Sequence, residues 1–164
     1  MGTRNLTKVI DSNGVTRVAQ YGQWDGYPSG QGINALIQSY NHRLIESKLD
    51  NCHFLSDEEV DGHNSIIGAS GKAVVDVYPT LSRDTCADIL GYVAFSVGEI
   101  PLVDESDFEN DDLFCEAVYT LDFQKRVLIS KYGGHTLEHR LDELPDPKEY
   151  LAEWADTLNP GIPD

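Results

Sequence analysis

Basic residues are scarce in this chain beside its acidic ones. Twelve lysines and arginines stand against 28 aspartates and glutamates, a formal net charge of −16 over 164 residues. A surface of that sign repels nucleic acid and anionic membranes and attracts basic partners. Direct nucleic-acid or membrane binding is therefore not expected, although acidity also serves plain solubility. Cysteines are fewer still: Cys52, Cys86 and Cys115. An odd number without paired spacing excludes a disulfide framework and points to a reducing compartment. Long apolar runs are missing. No stretch reaches the roughly 20 residues of a membrane span, and the N-terminus carries no apolar run of signal-peptide length. Leu6 stands where a myristoylation motif needs Ser or Thr. These absences predict a cytoplasmic protein. The length suits one domain, 1–158, with a C-terminal tail at 159–164.

What is present is concentrated. Gln20 to Gly32 packs four glycines, Pro28, Trp24, Tyr21 and Tyr27 into thirteen residues. Glycine permits positive φ and proline fixes φ, so this stretch needs special backbone geometry. It follows a predicted hairpin. Thr3–Ile10 and Val15–Tyr21 read as strands around Asn13-Gly14, the dipeptide that favours a type I′ turn. With that pair central, Val9 faces Val18 and Leu6 faces Tyr21, on opposite faces, which predicts a hairpin covered on both sides and placed centrally in its sheet. Helical spacing of Ile33, Leu36, Ile37, Tyr40 and Leu44 predicts a helix running to about Lys48, with Ser29 as its cap.

Further along, Asp57-Glu58-Glu59-Val60-Asp61-Gly62 reads as an acidic turn, Gly68–Gly71 as a breaker and Lys72–Tyr78 as a short strand. A second helix opens near Ser82, capped by Ser82 or Thr80, with Cys86, Ile89, Leu90, Val93 and Val97 as its apolar stripe; Cys86 is then a core residue. Six acids fall within the nine residues 104–112. Leu113–Asp122 and Arg126–Tyr132 form a second hairpin around Phe123-Gln124-Lys125. Gly133-Gly134 breaks the chain, and Pro145-Asp146-Pro147 opens a last helix that buries Tyr150, Leu151, Trp154 and Leu158. Two hairpins with intervening helices predict an α+β fold: an antiparallel sheet with about three helices packed on it.

The enzymatic motifs are incomplete. His135-Thr136-Leu137-Glu138-His139 matches the H-x-x-E-H order of inverted zinc peptidases, but that chemistry needs both histidines on one face of a long helix, and the flanking glycines and Pro145 leave little room for one. Asp57 to Gly62 has the sixth-place glycine of a calcium loop, whereas its twelfth place is Gly68 rather than glutamate. Gly30-x-Gly32 ahead of a helix could cradle a phosphate. However, no Lys-Ser or Lys-Thr follows it, and only Arg4, Arg17 and Arg43 are candidate cations. No serine sits in a G-x-S-x-G elbow. A strand starting directly after Met1 matches the layout of N-terminal-nucleophile hydrolases, yet Gly2 stands where the nucleophile belongs. No catalytic residue, metal site or cofactor is assigned, and a non-enzymatic role is favoured.

Gly2-Thr3-Arg4, the YGQWDGYPSGQG segment at 21–32, Tyr78–Thr85 and Cys115–Asp122 resemble segments of a family of small uncharacterised proteins from phages and bacteria. The resemblance spans most of the chain and implies a phage or prophage setting, hence a host-cell cytoplasm. The family carries no settled activity, so no catalytic residues transfer. Small acidic phage proteins often inhibit host machinery, anti-CRISPR and other anti-defence proteins among them, which is an argument by analogy. The expectation is an acidic interaction protein that occupies a basic, nucleic-acid-binding surface of a host protein. Its partner-binding residues would be Asp57, Glu58, Glu59, Asp61, Asp104, Glu105, Asp107, Phe108, Glu109, Asp111 and Asp112. The alternative is a nucleotide-like or other small ligand, or a degenerate hydrolase site, at Trp24, Asp25, Tyr27, Ser29, Gly30 and Gly32.

Overall fold

In the computed structural model, residues 2–62 and 79–160 are described. The breaker at 68–71, the strand expected at 72–78 and the end of the 159–164 tail lie outside them. The fold is α+β. Five strands form one mixed sheet in the order β2-β1-β5-β6-β7: β1 (Asn5–Ile10), β2 (Thr16–Gly22), β5 (Ala117–Asp122), β6 (Val127–Tyr132) and β7 (His135–Arg140). Two short parallel strands, β3 (Cys52–Phe54) and β4 (Ile100–Leu102), make a second sheet. The longer helices are α1 (Ile33–Ser39), α2 (His42–Lys48), α3 (Ile89–Phe95) and α4 (Pro147–Leu158).

Both predicted hairpins form, and the first pairs Leu6 with Tyr21 and Val9 with Val18. Within it β1 is an interior strand and β2 an edge. Its turn differs from type I′. The Asp11 carbonyl accepts from Gly14 N–H at 2.9 Å, and Asp11 N–H donates to the Val15 carbonyl at 2.8 Å. Only Gly14 in this turn has positive φ, at 82°, and the register slips by one after Val9. The turn is closed by a glycine bulge, in which Asn13 keeps ordinary backbone geometry. The hairpins are joined by a parallel β1–β5 pair rather than an antiparallel one. Gly133 and Gly134, at φ 59° and 78°, do not end the sheet: they turn β6 into β7.

Pairing register sorts the strands into two faces. Val9, Val18, Ala117, Tyr119, Leu121 and Leu128 share one face and join the core with Leu36, Ile45, Leu90, Val93, Tyr150 and Trp154 from the helices. Every residue of β5 is buried, so this middle strand is covered on both sides. Leu6, fully buried, points to the opposite face. There the 3₁₀ turn Ser106–Asn110 lies over β1 and β2, with Phe108 edge-on to Tyr21 at 4.9 Å between ring centroids.

Several helical expectations need correction. The helix expected from 33 to 48 breaks at Tyr40-Asn41 into α1 and α2. The break resets the helical phase, so Ala35, Leu36, Ser39 and Ile45 are buried while Ile37, Tyr40 and Leu44 are exposed. Ser29 does not cap; Pro28–Gly32 forms one wide π-type turn running straight into α1. The second helix starts at Ile89, later than Ser82, because short 3₁₀ turns at Pro79–Leu81 and Cys86–Asp88 take up the approach. Cys86 is buried as expected, but Val97 lies beyond the end of α3 and is 97% exposed. The strand expected from Leu113 starts at Ala117, leaving Leu113 and Phe114 exposed. Asp146 caps α4 by accepting from Glu149 N–H at 2.8 Å, and Tyr150 and Trp154 are buried while Leu158, in its last turn, is exposed. No helix among the described residues is long and apolar enough to cross a membrane.

Candidate functional site

The second sheet decides where the acidic runs begin. Phe54 pairs with Leu102 in the parallel β3–β4 register, and Leu55 N–H donates to the Leu102 carbonyl at 2.8 Å. Parallel strands leave a sheet at the same end. Asp57 and Asp104 therefore each follow within a few residues of one shared edge, although they are far apart in the chain.

The first run is helical rather than a turn, from 57 to 62. Ser56 and Glu59 close it reciprocally: Glu59 N–H donates to Ser56 Oγ at 3.2 Å, and Ser56 N–H donates to Glu59 Oε1 at 3.1 Å. This capping box was legible as Ser-x-x-Glu. The Ser56 N–H, and then His53 at 3.1 Å, hold the Glu59 carboxyl below the usual range. Asp57, Glu58 and Asp61 are exposed.

The second run is docked on the sheet. Glu105 N–H donates to the Ala19 carbonyl at 3.0 Å, and Lys8 pairs with Glu109 at 2.9 Å. Asp111 accepts from the Leu113 and Phe114 N–H groups and so shapes its own turn. Phe108 packs on Tyr21 and is part-buried. Desolvation, with Asp104 alongside, raises Glu105 above its ordinary value. Among the described residues, Lys8 is the one lysine or arginine paired with a carboxylate of either run. Asp104, Asp107 and Asp112 are exposed.

The Gly-rich stretch is a junction. The N–H groups of Gly30, Gln31 and Gly32 donate to the carbonyls of Tyr27, Asp25 and Tyr27. A phosphate would find these donors already engaged. Glycine is required by close approach: a Cβ on Gly30 would run into the Asp25 carbonyl, and one on Gly32 would sit 3.0 Å from both the Tyr119 and Tyr150 hydroxyls. Tyr119 Oη donates to the Gly26 carbonyl at 2.6 Å. Trp24 Nε1 donates to Asp84 at 2.8 Å, and Gln23 N–H to the Arg83 carbonyl at 3.1 Å, which ties the stretch to the segment before α3. Asp25, at φ 56°, accepts from the Tyr27 hydroxyl at 3.1 Å. Trp24 and Tyr27 are 44% and 38% exposed, so both are pinned at one edge and open at the other. Of the cations considered for this stretch, Arg17 is held by Asp11, Asp50 and the Leu49 carbonyl, and Arg4 lies over Phe114.

The H-x-x-E-H motif lies on β7. A strand puts His135 and His139 on one face and Glu138 on the other, and at about 3.3 Å per residue it separates the two histidines far beyond the reach of one metal ion. His139 instead meets Glu153 of α4 at 2.7 Å. The described residues hold no cluster of three or more potential metal ligands. A third acidic group escaped the sequence reading: Asp142, Glu143, Asp146, Glu149, Glu153 and Asp156 follow β7 and run along α4. Its signal was present in the sequence, spread at helical spacing instead of in a run. Comparison with protein-family models, curated proteins and solved structures finds no match for this chain.

Proposed function

We propose that this chain is a non-catalytic interaction protein whose two acidic runs engage a basic surface of a partner protein. The observation that carries this reading is the β3–β4 pairing, which starts both runs at one edge. Lys8 is the one basic side chain, lysine or arginine, that neutralises either run among the described residues, and it takes up Glu109 alone. Carboxylates arranged in this way complement a surface built for phosphates, raise the encounter rate and confer salt sensitivity. A nucleic-acid-binding protein of a host defence system is the partner class that the phage resemblance suggests. The docking of the 104–112 run on the sheet supports the reading further, because a run held by Phe108 and Glu109 loses little conformational entropy on binding.

The test is capture from cell lysate by the immobilised chain at about 0.05 M and 0.5 M salt, with duplex DNA as competitor. Glu58→Lys, Asp107→Lys and Asp112→Lys together reverse exposed charges in both runs without touching the Lys8–Glu109 pair, the Asp111 turn or the contact of Asp104 with Ser106. A partner should be captured at low salt, displaced by DNA and lost in the triple variant. Capture that is indifferent to salt and to charge reversal would sink the proposal.

A further inference from the structure

This acidic chain also carries one gathered basic cluster. Arg43, Lys125, Arg126 and Arg140 are four of only twelve lysines and arginines, and the fold brings them to one recess of about 490 Å³, with His42 beside them. They come from three places: the start of α2, the turn between β5 and β6, and the end of β7. In a chain of net charge −16, such a gathering opposes the general field.

The side chains are partly pre-set. Arg126 pairs with Glu46 at 3.1 Å and lies over the Phe123 ring at 5.6 Å, and its backbone sits at φ 60° in the turn that Asp122 holds through the Gln124 and Lys125 N–H groups. Arg140 pairs with Asp142 at 2.7 Å. Among the described residues, Arg43 and Lys125 have no carboxylate partner. His42 Nδ1 is buried. Desolvation, and then the positive fields of Arg126 and Arg43, hold His42 below the ordinary imidazole value. Arg43 and Lys125, two uncompensated cations with Arg126 beside them, match an oxyanion, while Asp142, which also lines the recess, is taken up by Arg140.

A second recess of about 500 Å³ adjoins the first, shares His42, Arg43, Leu141 and Asp142 with it, and adds Tyr40 and Leu44. Tyr40 is fixed by its hydroxyl, which donates to the Pro145 carbonyl at 2.7 Å. The combined space lies in the range of small-molecule sites and exceeds what a bare phosphate fills. We infer that this double recess binds a small phosphorylated molecule, its phosphate on Arg43, Lys125 and Arg126 and its organic part against Tyr40 and Leu44. A nucleic acid fits less well, because its further phosphates would face the acidic remainder of the surface.

The test is calorimetric titration of the intact chain with pyrophosphate, adenosine diphosphate and a duplex oligonucleotide at constant ionic strength. Saturable binding of pyrophosphate and tighter binding of adenosine diphosphate are expected. Arg43→Gln with Lys125→Gln should weaken both by at least about ten-fold, a difference of about 1.4 kcal/mol. Tyr40→Ala should weaken adenosine diphosphate alone. Circular dichroism checks that the variants fold, and Lys125→Gln alone is the second variant should the double one fail to. Undiminished binding in the variants, no binding of either small probe, or binding of the oligonucleotide alone would each overturn the inference.

Discussion

Tyr119→Phe removes one oxygen atom and tests whether the Gly-rich stretch is a structural junction. Tyr119 is 1% exposed, and its hydroxyl donates to the Gly26 carbonyl at 2.6 Å, joining the middle strand of the sheet to the loop. Burial pushes this phenol far above its ordinary range, so the hydroxyl stays protonated and donates at any working pH. Phenylalanine keeps the ring and its packing but leaves a buried carbonyl without this donor, a loss of about 1–3 kcal/mol. For a chain of this size each kcal/mol moves the melting temperature by about 2–4 °C, so Tm should fall by about 2–12 °C. Tyr150→Phe is the internal comparison. Tyr150 donates to the Ser130 hydroxyl at 2.9 Å, a bond between two hydroxyls rather than one onto a backbone carbonyl, so the loss should be about 0.5–1.5 kcal/mol. Urea unfolding with a shared slope reads both differences. Acrylamide quenching adds a local readout, because Trp24 is part-exposed on the loop while Trp154 is buried. If Tyr119→Phe costs less than Tyr150→Phe, and Trp24 quenching is unchanged, the loop is not held in the way described.

Gly30→Ala drives a methyl group into the Asp25 carbonyl and should cost about 1–3 kcal/mol, read in the same unfolding assay; a neutral result would mean the π-type turn can relax. Stability should decline on acidification. Asp11 accepts from the Val15 and Asn13 N–H groups, which lowers its folded pKa, so its contribution is full above the unfolded carboxylate value and is lost as pH falls through the folded one. Asp11→Asn should flatten that acid limb, and an unaltered limb would refute the assignment. Cys52 and Cys115 are each pushed up to about 11 by burial, and burial raises Cys86 as well. All three native thiols should therefore react slowly with a disulfide reagent near neutral pH and fast after denaturation; one fast native thiol would contradict this.

Local rules were enough for some features and not for others. The Leu6–Tyr21 and Val9–Val18 pairs are those expected from a turn at Asn13-Gly14, but the chain closes with Asp11 opposite Val15, and the one-residue register shift after Val9 restores them. The start of the last helix at Pro147 was also readable, because it depends on neighbours in sequence, whereas Cys86 is buried against the Trp24 carbonyl of the distant Gly-rich stretch. The α1–α2 break was not, since Ile37, Tyr40 and Leu44 keep helical spacing while the packing of Leu36 and Ile45 in the core sets the phase. The HTLEHR strand was hidden by its polar composition; it forms because Gly133-Gly134 turns the chain back and β7 completes the ladder on β6.

An α+β chain, its acidity and the place of its first hairpin could be read directly, because composition and local periodicity carry those properties. Which distant stretches meet is a matter of packing. The parallel pairs set Asn5 beside Ala117 and Cys52 beside Ile100, and backbone hydrogen bonds between such remote residues leave no local signature. The shared origin of the acidic runs depends on one of those pairs. The gathering of Arg43, Lys125, Arg126 and Arg140 likewise depends on three chain segments meeting over one core, where burial of apolar side chains, not charge, chose the arrangement.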